Sequence, residues 1–271
     1  MEWILRRQFP SAFATLHSSD ADAILGAEHL RDCLLNNPHF KAVSSHHLRY
    51  PMGEIPGTVL FDCCFLRHPL DRLQSLYEHF RRTGEDDWLS CLARSKGAQG
   101  FMKTLVETAP HVVSNVQTLY LSVGGALTRP AGPWDLDKAF DTLRQMSFPG
   151  LVERFDESLV AAEYFLRPAF PELRLEYVAQ NVSPAKEAEP SGERGDRLMA
   201  LWGDELHAQL VHLNEYDLKL FKLAADEIER RTSLIPFFPR LLDEFWQRCA
   251  ALRPQQFADS PLNRAPAAAR T

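Results

Sequence analysis

Apolar residues recur along this chain at two periods, and one switch between them predicts a strand that turns into a helix. Val59, Leu60, Phe61, Cys63, Cys64, Phe65 and Leu66 form a nearly continuous apolar run, the composition of a central strand covered on both faces. Arg67 closes the run. Pro69 suits a first helical position, where its missing N–H costs nothing, and Leu70, Leu73, Tyr77 and Phe80 follow at helical spacing. In open α/β sheets ligands gather beyond the carboxyl ends of strands, where a guanidinium beside free helical N–H groups suits a phosphate. Arg67, Ser75 and the helix start thus form a candidate anion site. The plainer reading of Arg67 is a surface ion pair.

Elsewhere the same patterning predicts a helix over 27–36 and a short strand over 41–45, then helical segments over 88–92, 100–108 and 136–145, divided by Gly and Pro. A short strand is expected over 150–153, and a helix capped by Asp156 runs to about Leu166. Residues 173–178 are a last strand candidate, followed by a polar loop over 181–197. Asn214 opens a helix with Asp217 in a capping-box-like place and Leu218, Phe221, Ala225 and Ile228 on one face. Phe237, Phe238 and Trp246 are expected in the core, with a partner site the less common alternative. Trp3, Ile4, Leu5 and Phe9 give an apolar helical face at the start, with no Ser, Thr, Asp or Asn ahead to cap it. The expectation is one α/β domain over residues 1–252, helix-rich in its middle and carboxyl-terminal parts, with a loose tail rich in Pro, Ala and Arg over 253–271.

Composition narrows the function classes. A chain of 271 residues with 45% hydrophobic content can bury one sizeable core. Its net charge of −6 argues against general nucleic-acid binding and leaves room for one basic pocket. The five cysteines are odd in number and scattered, which fits a reduced cytoplasmic setting. Cys63 and Cys64 face opposite ways and read as small core residues. No metal-ligand spacing, secretory leader or membrane-spanning apolar run is legible. A serine hydrolase gains no support either, for want of a G-x-S-x-G elbow.

The spacing Arg67-x-Pro69-x-x-Arg72-x-x-Ser75-x-Tyr77 resembles the 3'-phosphate-binding segment of sulfotransferases that use 3'-phosphoadenylyl sulfate. Further segments match in the family's order, over about four fifths of the chain, and are closest to the branch of bacterial and uronosyl 2-O-sulfotransferase-like carbohydrate enzymes. These are Ser45-His46-His47, the stretch from Asn115 to Leu121 with its Asn-x-Gln-Thr, the block from Gly150 to Leu159, Asn181-Val182-Ser183, and the stretch from Asn214 to Phe221. The resemblance implies a P-loop-type parallel sheet flanked by helices, with Arg67 and Ser75 on the nucleotide's 3'-phosphate. It also implies sulfuryl transfer from 3'-phosphoadenylyl sulfate to a hydroxyl of a carbohydrate or glycan-like acceptor, without a metal.

One part of the family pattern is missing. Its opening strand and glycine-rich loop, roughly Pro-Lys-x-Gly-Gly-Thr, wrap the 5'-phosphosulfate and supply a lysine, and nothing here fills that role. Gly124-Gly125, the sole adjacent glycine pair, lies far downstream without such a lysine. The expectation is a chain without its first strand and phosphate loop, through a truncated start or a degenerate protein. The strand near Leu60 to Leu66 would then carry an unpaired apolar edge that invites association.

The chemistry needs a base for the acceptor hydroxyl, and a neutral imidazole is available near neutral pH. Without the resemblance, the adjacent histidines read as a loop or surface feature. With it, His46 is the candidate base and His47 its rival, since adjacent residues in extended backbone present different faces. Asn115 and Gln117 are candidates to orient donor or acceptor, with helix capping or internal hydrogen bonding an equal alternative. Glu153 and Arg154 either line the cleft or pair at a strand end. A noncatalytic nucleotide-sensing or interaction protein that keeps the fold is the second functional class.

Overall fold

A computed structural model of the chain describes residues 1–18, 23–83, 87–122, 129–178 and 191–259. Within them the protein is α/β and rich in helix, with two small sheets, each a pair of parallel strands. In the first, β1 (Phe13–Thr15) pairs with β2 (Ala42–Ser44), joined through α2 (Ala27–Asn36). In the second, β3 (Cys63–Leu66) pairs with β4 (Phe148–Leu151), Cys63 opposite Phe148 and Leu66 opposite Leu151. Parallel neighbours require a crossover, and here it is long. It comprises α3 (Pro69–Thr83), α4 (Trp88–Thr108), α5 (Pro110–Val113), α6 (Val116–Leu121) and α7 (Pro133–Gln145).

Two apolar cores flank the second sheet's connections. One gathers Leu66, Phe148 and Leu151 with α1 (Glu2–Gln8), α7, α8 (Phe155–Leu166), α11 (Glu215–Ser233) and α12 (Phe238–Asp259). The other joins α3, α4 and α5 to α9 (Ser191–Trp202) and α10 (Asp204–Leu213) around Phe101 and Trp202. Gly97, at φ 66° and ψ 177°, interrupts α4, which is why the sequence reads that helix as two segments. A charged cluster fastens the first core's rim. Arg248 of α12 donates to both carboxylate oxygens of Glu163, at 2.8 and 2.6 Å, and to Glu176 Oε2 at 3.2 Å. Arg7 of α1 donates to Glu176 Oε1 at 2.9 Å.

Several expectations need correction. The apolar run before Arg67 is strand only from Cys63 onward, because Ile55 and Thr58 form an isolated bridge and pairing with β4 begins at the Asp62 carbonyl. Val59 is 80% exposed and Cys63 is exposed as well, so the run is not covered on both faces. Among the described residues β3 pairs on one side alone. The strand expected over 150–153 begins two residues earlier, at Phe148.

Leu173, Arg174, Leu175 and Glu176 alternate apolar and polar as in a strand, yet three N–H groups of the 173–178 segment go to side chains. Arg174 donates to Gln8 Oε1, Leu175 to Glu163 Oε1 and Tyr177 to Cys249 Sγ, so no ladder forms. Residues 191–197, expected in a loop, are helical in α9. Asp156 lies inside the first turn of α8, and its carboxylate accepts from the Tyr177 hydroxyl and the Trp246 indole instead of capping. Trp246 is half exposed and Phe237, at φ 57°, is 81% exposed, so neither is core. Helix α12 continues to Asp259, seven residues past the expected end of the domain at residue 252. Gly124-Gly125, Asn181-Val182-Ser183 and the last twelve residues lie outside the described residues.

Candidate functional site

The site is built where β3 and β4 end side by side. Gln117 of α6 accepts the Arg67 N–H at Oε1 and donates from Nε2 to the Arg67 carbonyl, both at 2.8 Å. This two-way clamp satisfies backbone groups that have left the ladder. The next N–H, of His68, donates to Glu153 Oε1 at 2.7 Å, which ties the end of β3 to the end of β4. Pro69 then starts α3, as expected from its fixed φ. The half-buried Arg67 side chain makes no hydrogen bond or ion pair among the described residues. Its surface ion pair is therefore not formed. Ser75, also half-buried, stands about 9 Å along the axis from Pro69.

Helix α6 is held by a reciprocal lock. Asn115, in the left-handed region at φ 47° and ψ 39°, accepts at Oδ1 from the N–H groups of Tyr216 and Asp217 at the start of α11. Asp217 answers by accepting from the N–H groups of Gln117 and Thr118, at 3.1 and 2.7 Å, and from the Thr118 hydroxyl at 2.7 Å. The capping box expected inside α11 is replaced by this exchange, and Asn214 donates to the carbonyls of Val113 and Leu210. Burial pushes the Asp217 carboxyl above its usual range, against the pull of the nearby Arg72 guanidinium. Of the two readings left open for Asn115 and Gln117, these amides follow the internal one.

The histidines gather at the amino-terminal side. The ring of His46 stacks on His17, with centroids 5.6 Å apart and planes 7° from parallel. Both rings look to Glu2, whose Oε1 lies 3.3 Å from His17 Nε2 and 3.9 Å from His46 Nε2. The His46 side chain is 80% exposed. His47 is anchored differently, with Nδ1 3.0 Å from the Ala23 carbonyl. A carbonyl only accepts, so Nδ1 is the donor in this contact.

Arg49 links this segment to α6. Its Nη1 donates to the carbonyl of His46 at 2.9 Å, and its guanidinium lies 3.8 Å from the centroid of the Tyr120 ring. Arg49, Glu2 and His17 were not singled out by the sequence. Periodicity marks apolar faces, and nothing local tells that an arginine three residues after a histidine is buried against a distant tyrosine. Glu153 and Arg154 do not pair with each other: Glu153 accepts from His68, while Arg154 meets Glu157 and Glu229. Among the described residues no group of three His, Cys, Asp or Glu side chains can hold a metal ion, and no helix is long and apolar enough to cross a membrane.

No family model matches the chain. It is similar to an uncharacterized protein of Archaeoglobus fulgidus, at 27% identity over 191 residues that cover 68% of this chain and 74% of that protein.

Proposed function

We propose that this protein moves a sulfuryl group from 3'-phosphoadenylyl sulfate to a hydroxyl of a carbohydrate or glycan-like acceptor, on a P-loop-type fold. The observation that carries the reading is Arg67. It follows a parallel strand, its backbone is clamped from both sides by Gln117, and among the described residues its guanidinium has no partner directly ahead of the α3 start. A guanidinium held in that way is preorganised for a phosphate, since its backbone needs no rearrangement when the anion arrives. Ser75, six residues beyond Pro69 on α3, is the second phosphate ligand in this reading.

His46 is the proposed base for the acceptor hydroxyl's proton, with Glu2 Oε1 3.9 Å from its Nε2. His47, with Nδ1 on the Ala23 carbonyl, is the rival. Asn115 and Gln117 act by holding α6 and Arg67 in place.

The exposure of His46 favours a second reading, a noncatalytic protein that senses a 3',5'-phosphorylated nucleotide. A base that works by charge stabilisation is normally shielded from water.

Calorimetric titration with 3',5'-adenosine bisphosphate, beside Arg67→Ala, tests the common core of both readings. Binding that is lost in the variant is the expected result. Equal binding by the two proteins, or none by either while folded, overturns the assignment. Loss of sulfuryl transfer in His46→Ala with nucleotide affinity kept then selects the enzyme over the sensor.

A further inference from the structure

Arg49 is 7% exposed, and its guanidinium has no carboxylate partner among the described residues. Nη1 donates to the carbonyls of His46 and Leu48, at 2.9 and 3.1 Å. One face is covered by Tyr120. Nε is buried without an acceptor. An arginine keeps its proton, so a full positive charge is enclosed here with no counter-charge among the described residues. Isolating a charge from water costs several kcal/mol, which two carbonyls and a ring face offset only in part. Other arginines in the protein are treated differently: Arg248 meets Glu163 and Glu176, Arg197 meets Asp71, Arg231 meets Glu227, and the buried Arg72 lies within the field of Asp217.

With Nη1 and the ring face engaged, the edge left without a partner among the described residues is the one that presents the buried Nε beside Nη2. Two parallel N–H donors match two oxygens of a phosphate or sulfate, and a desolvated setting strengthens both bonds. The location agrees with such a role. Tyr120 lies one turn after Gln117 on α6, and residues three apart on a helix have Cβ atoms about 5–6 Å apart. Gln117 holds the Arg67 backbone and Tyr120 covers the Arg49 guanidinium, so α6 touches both residues from positions one turn apart.

We propose that Arg49 is an oxyanion-binding residue, whose unpaired guanidinium edge takes a phosphate or sulfate group. That group is either a free ion or the second anionic group of a nucleotide held at Arg67. The second source rests on the function proposed above; the first does not.

The test is calorimetry on the full chain with sodium sulfate, with 3',5'-adenosine bisphosphate and with neutral adenosine, for the wild type, Arg49→Gln, Arg49→Lys and Arg67→Ala. At least one of the two anions is expected to bind at least tenfold more weakly to Arg49→Gln. Arg49→Lys is expected to fall between, since it keeps the charge and loses the fork. The unliganded Arg49→Gln protein should melt no earlier than the wild type, because an unpaired buried charge has been removed. A response to sulfate alone assigns a free ion, and a response to bisphosphate assigns the nucleotide. Should Arg49→Gln fail to fold, Arg49→Lys carries the comparison, with a loss of affinity for an anion expected. Equal affinities in the wild type and the Arg49 variants, or a wild type that binds neither anion, overturn the proposal. Loss in Arg67→Ala without loss in the Arg49 variants keeps the nucleotide reading and overturns this one. The converse keeps Arg49 and overturns the Arg67 assignment.

Discussion

Asn115 and Asp217 cap each other's helices: the amide oxygen of Asn115 receives the first N–H groups of α11, and the carboxylate of Asp217 receives the first N–H groups of α6. Each helix start therefore depends on a side chain about one hundred residues away in sequence. Removing the Asp217 carboxylate orphans two buried N–H groups and the Thr118 hydroxyl. Asp217→Ala should cost about 3–5 kcal/mol of stability. Asn115→Gly keeps the positive φ and loses only the acceptor, for about 1–2 kcal/mol. Because each cap sets the geometry of the other, the double variant should lose clearly less than the sum. Urea unfolding of the four proteins gives the coupling, and additivity within about 0.3 kcal/mol would refute mutual capping.

Acid should act through Asp135. Its carboxyl receives Arg129 at 2.6 Å through two nitrogens and the Gly132 N–H at 2.9 Å, and the Arg129 hydrogen bonds hold it below the ordinary 3.8. A carboxyl depressed in the folded state contributes stability that is present above 3.8 and is lost as pH falls through the lower folded value. Arg129→Gln raises that folded value toward the ordinary one. The variant should thus lose less stability than the wild type between pH 4 and pH 2. Matched unfolding curves across this range check it, and an unchanged acid slope would sink the idea.

Gly150 answers a packing need in β4. A Cβ built there would stand 2.6 Å from Phe65 Cε1, inside the ring contact that Phe65 makes with Phe155 at a centroid distance of 4.9 Å. Neither ring has a flexible end to yield. Gly150→Ala should destabilise the protein by about 1–3 kcal/mol, and Phe65→Leu should recover part of the loss in the double variant. Thermal melting of the three variants decides it, since full stability in Gly150→Ala would show that the sheet has room to spare.

What could be read from the sequence divides by range. Helix α2 falls over 27–36 as expected, and α3 starts at Pro69, because caps and apolar periodicity are local signals. The apolar character of 59–61 reads as strand, yet pairing depends on where β4 runs, 85 residues on, and begins at Asp62. Residues 173–178 have the alternation of a strand and lose the ladder to Gln8, Glu163 and Cys249. Asp217 shows the same limit, since its spacing from Asn214 suits a local cap but its carboxylate serves α6. At the site, Arg67 stands at the strand end that its sequence context implied. Arg49 was invisible for the opposite reason: its burial is set by Tyr120 and by the fold of the His46 segment.

Gln117 provides the sharpest separation between holding a ligand and holding the residue that holds it. The Arg67 backbone engages both of its amide atoms, Oε1 as acceptor and Nε2 through one of its two hydrogens, so the clamp fixes the amide's orientation. If Arg67 binds the nucleotide, Gln117 is a positioning residue, and its removal should loosen Arg67 without removing a charge. Gln117→Ala is expected to weaken 3',5'-adenosine bisphosphate about tenfold while the salt dependence of binding stays that of the wild type, since the number of cations on the ligand is the same. Arg67→Ala should both weaken binding and flatten the salt dependence. Gln117→Glu keeps the acceptor for the Arg67 N–H and loses the donor to its carbonyl, so its affinity should lie between those of Gln117→Ala and the wild type. A Gln117→Ala protein that flattens the salt dependence as Arg67→Ala does would show that the clamp model is wrong.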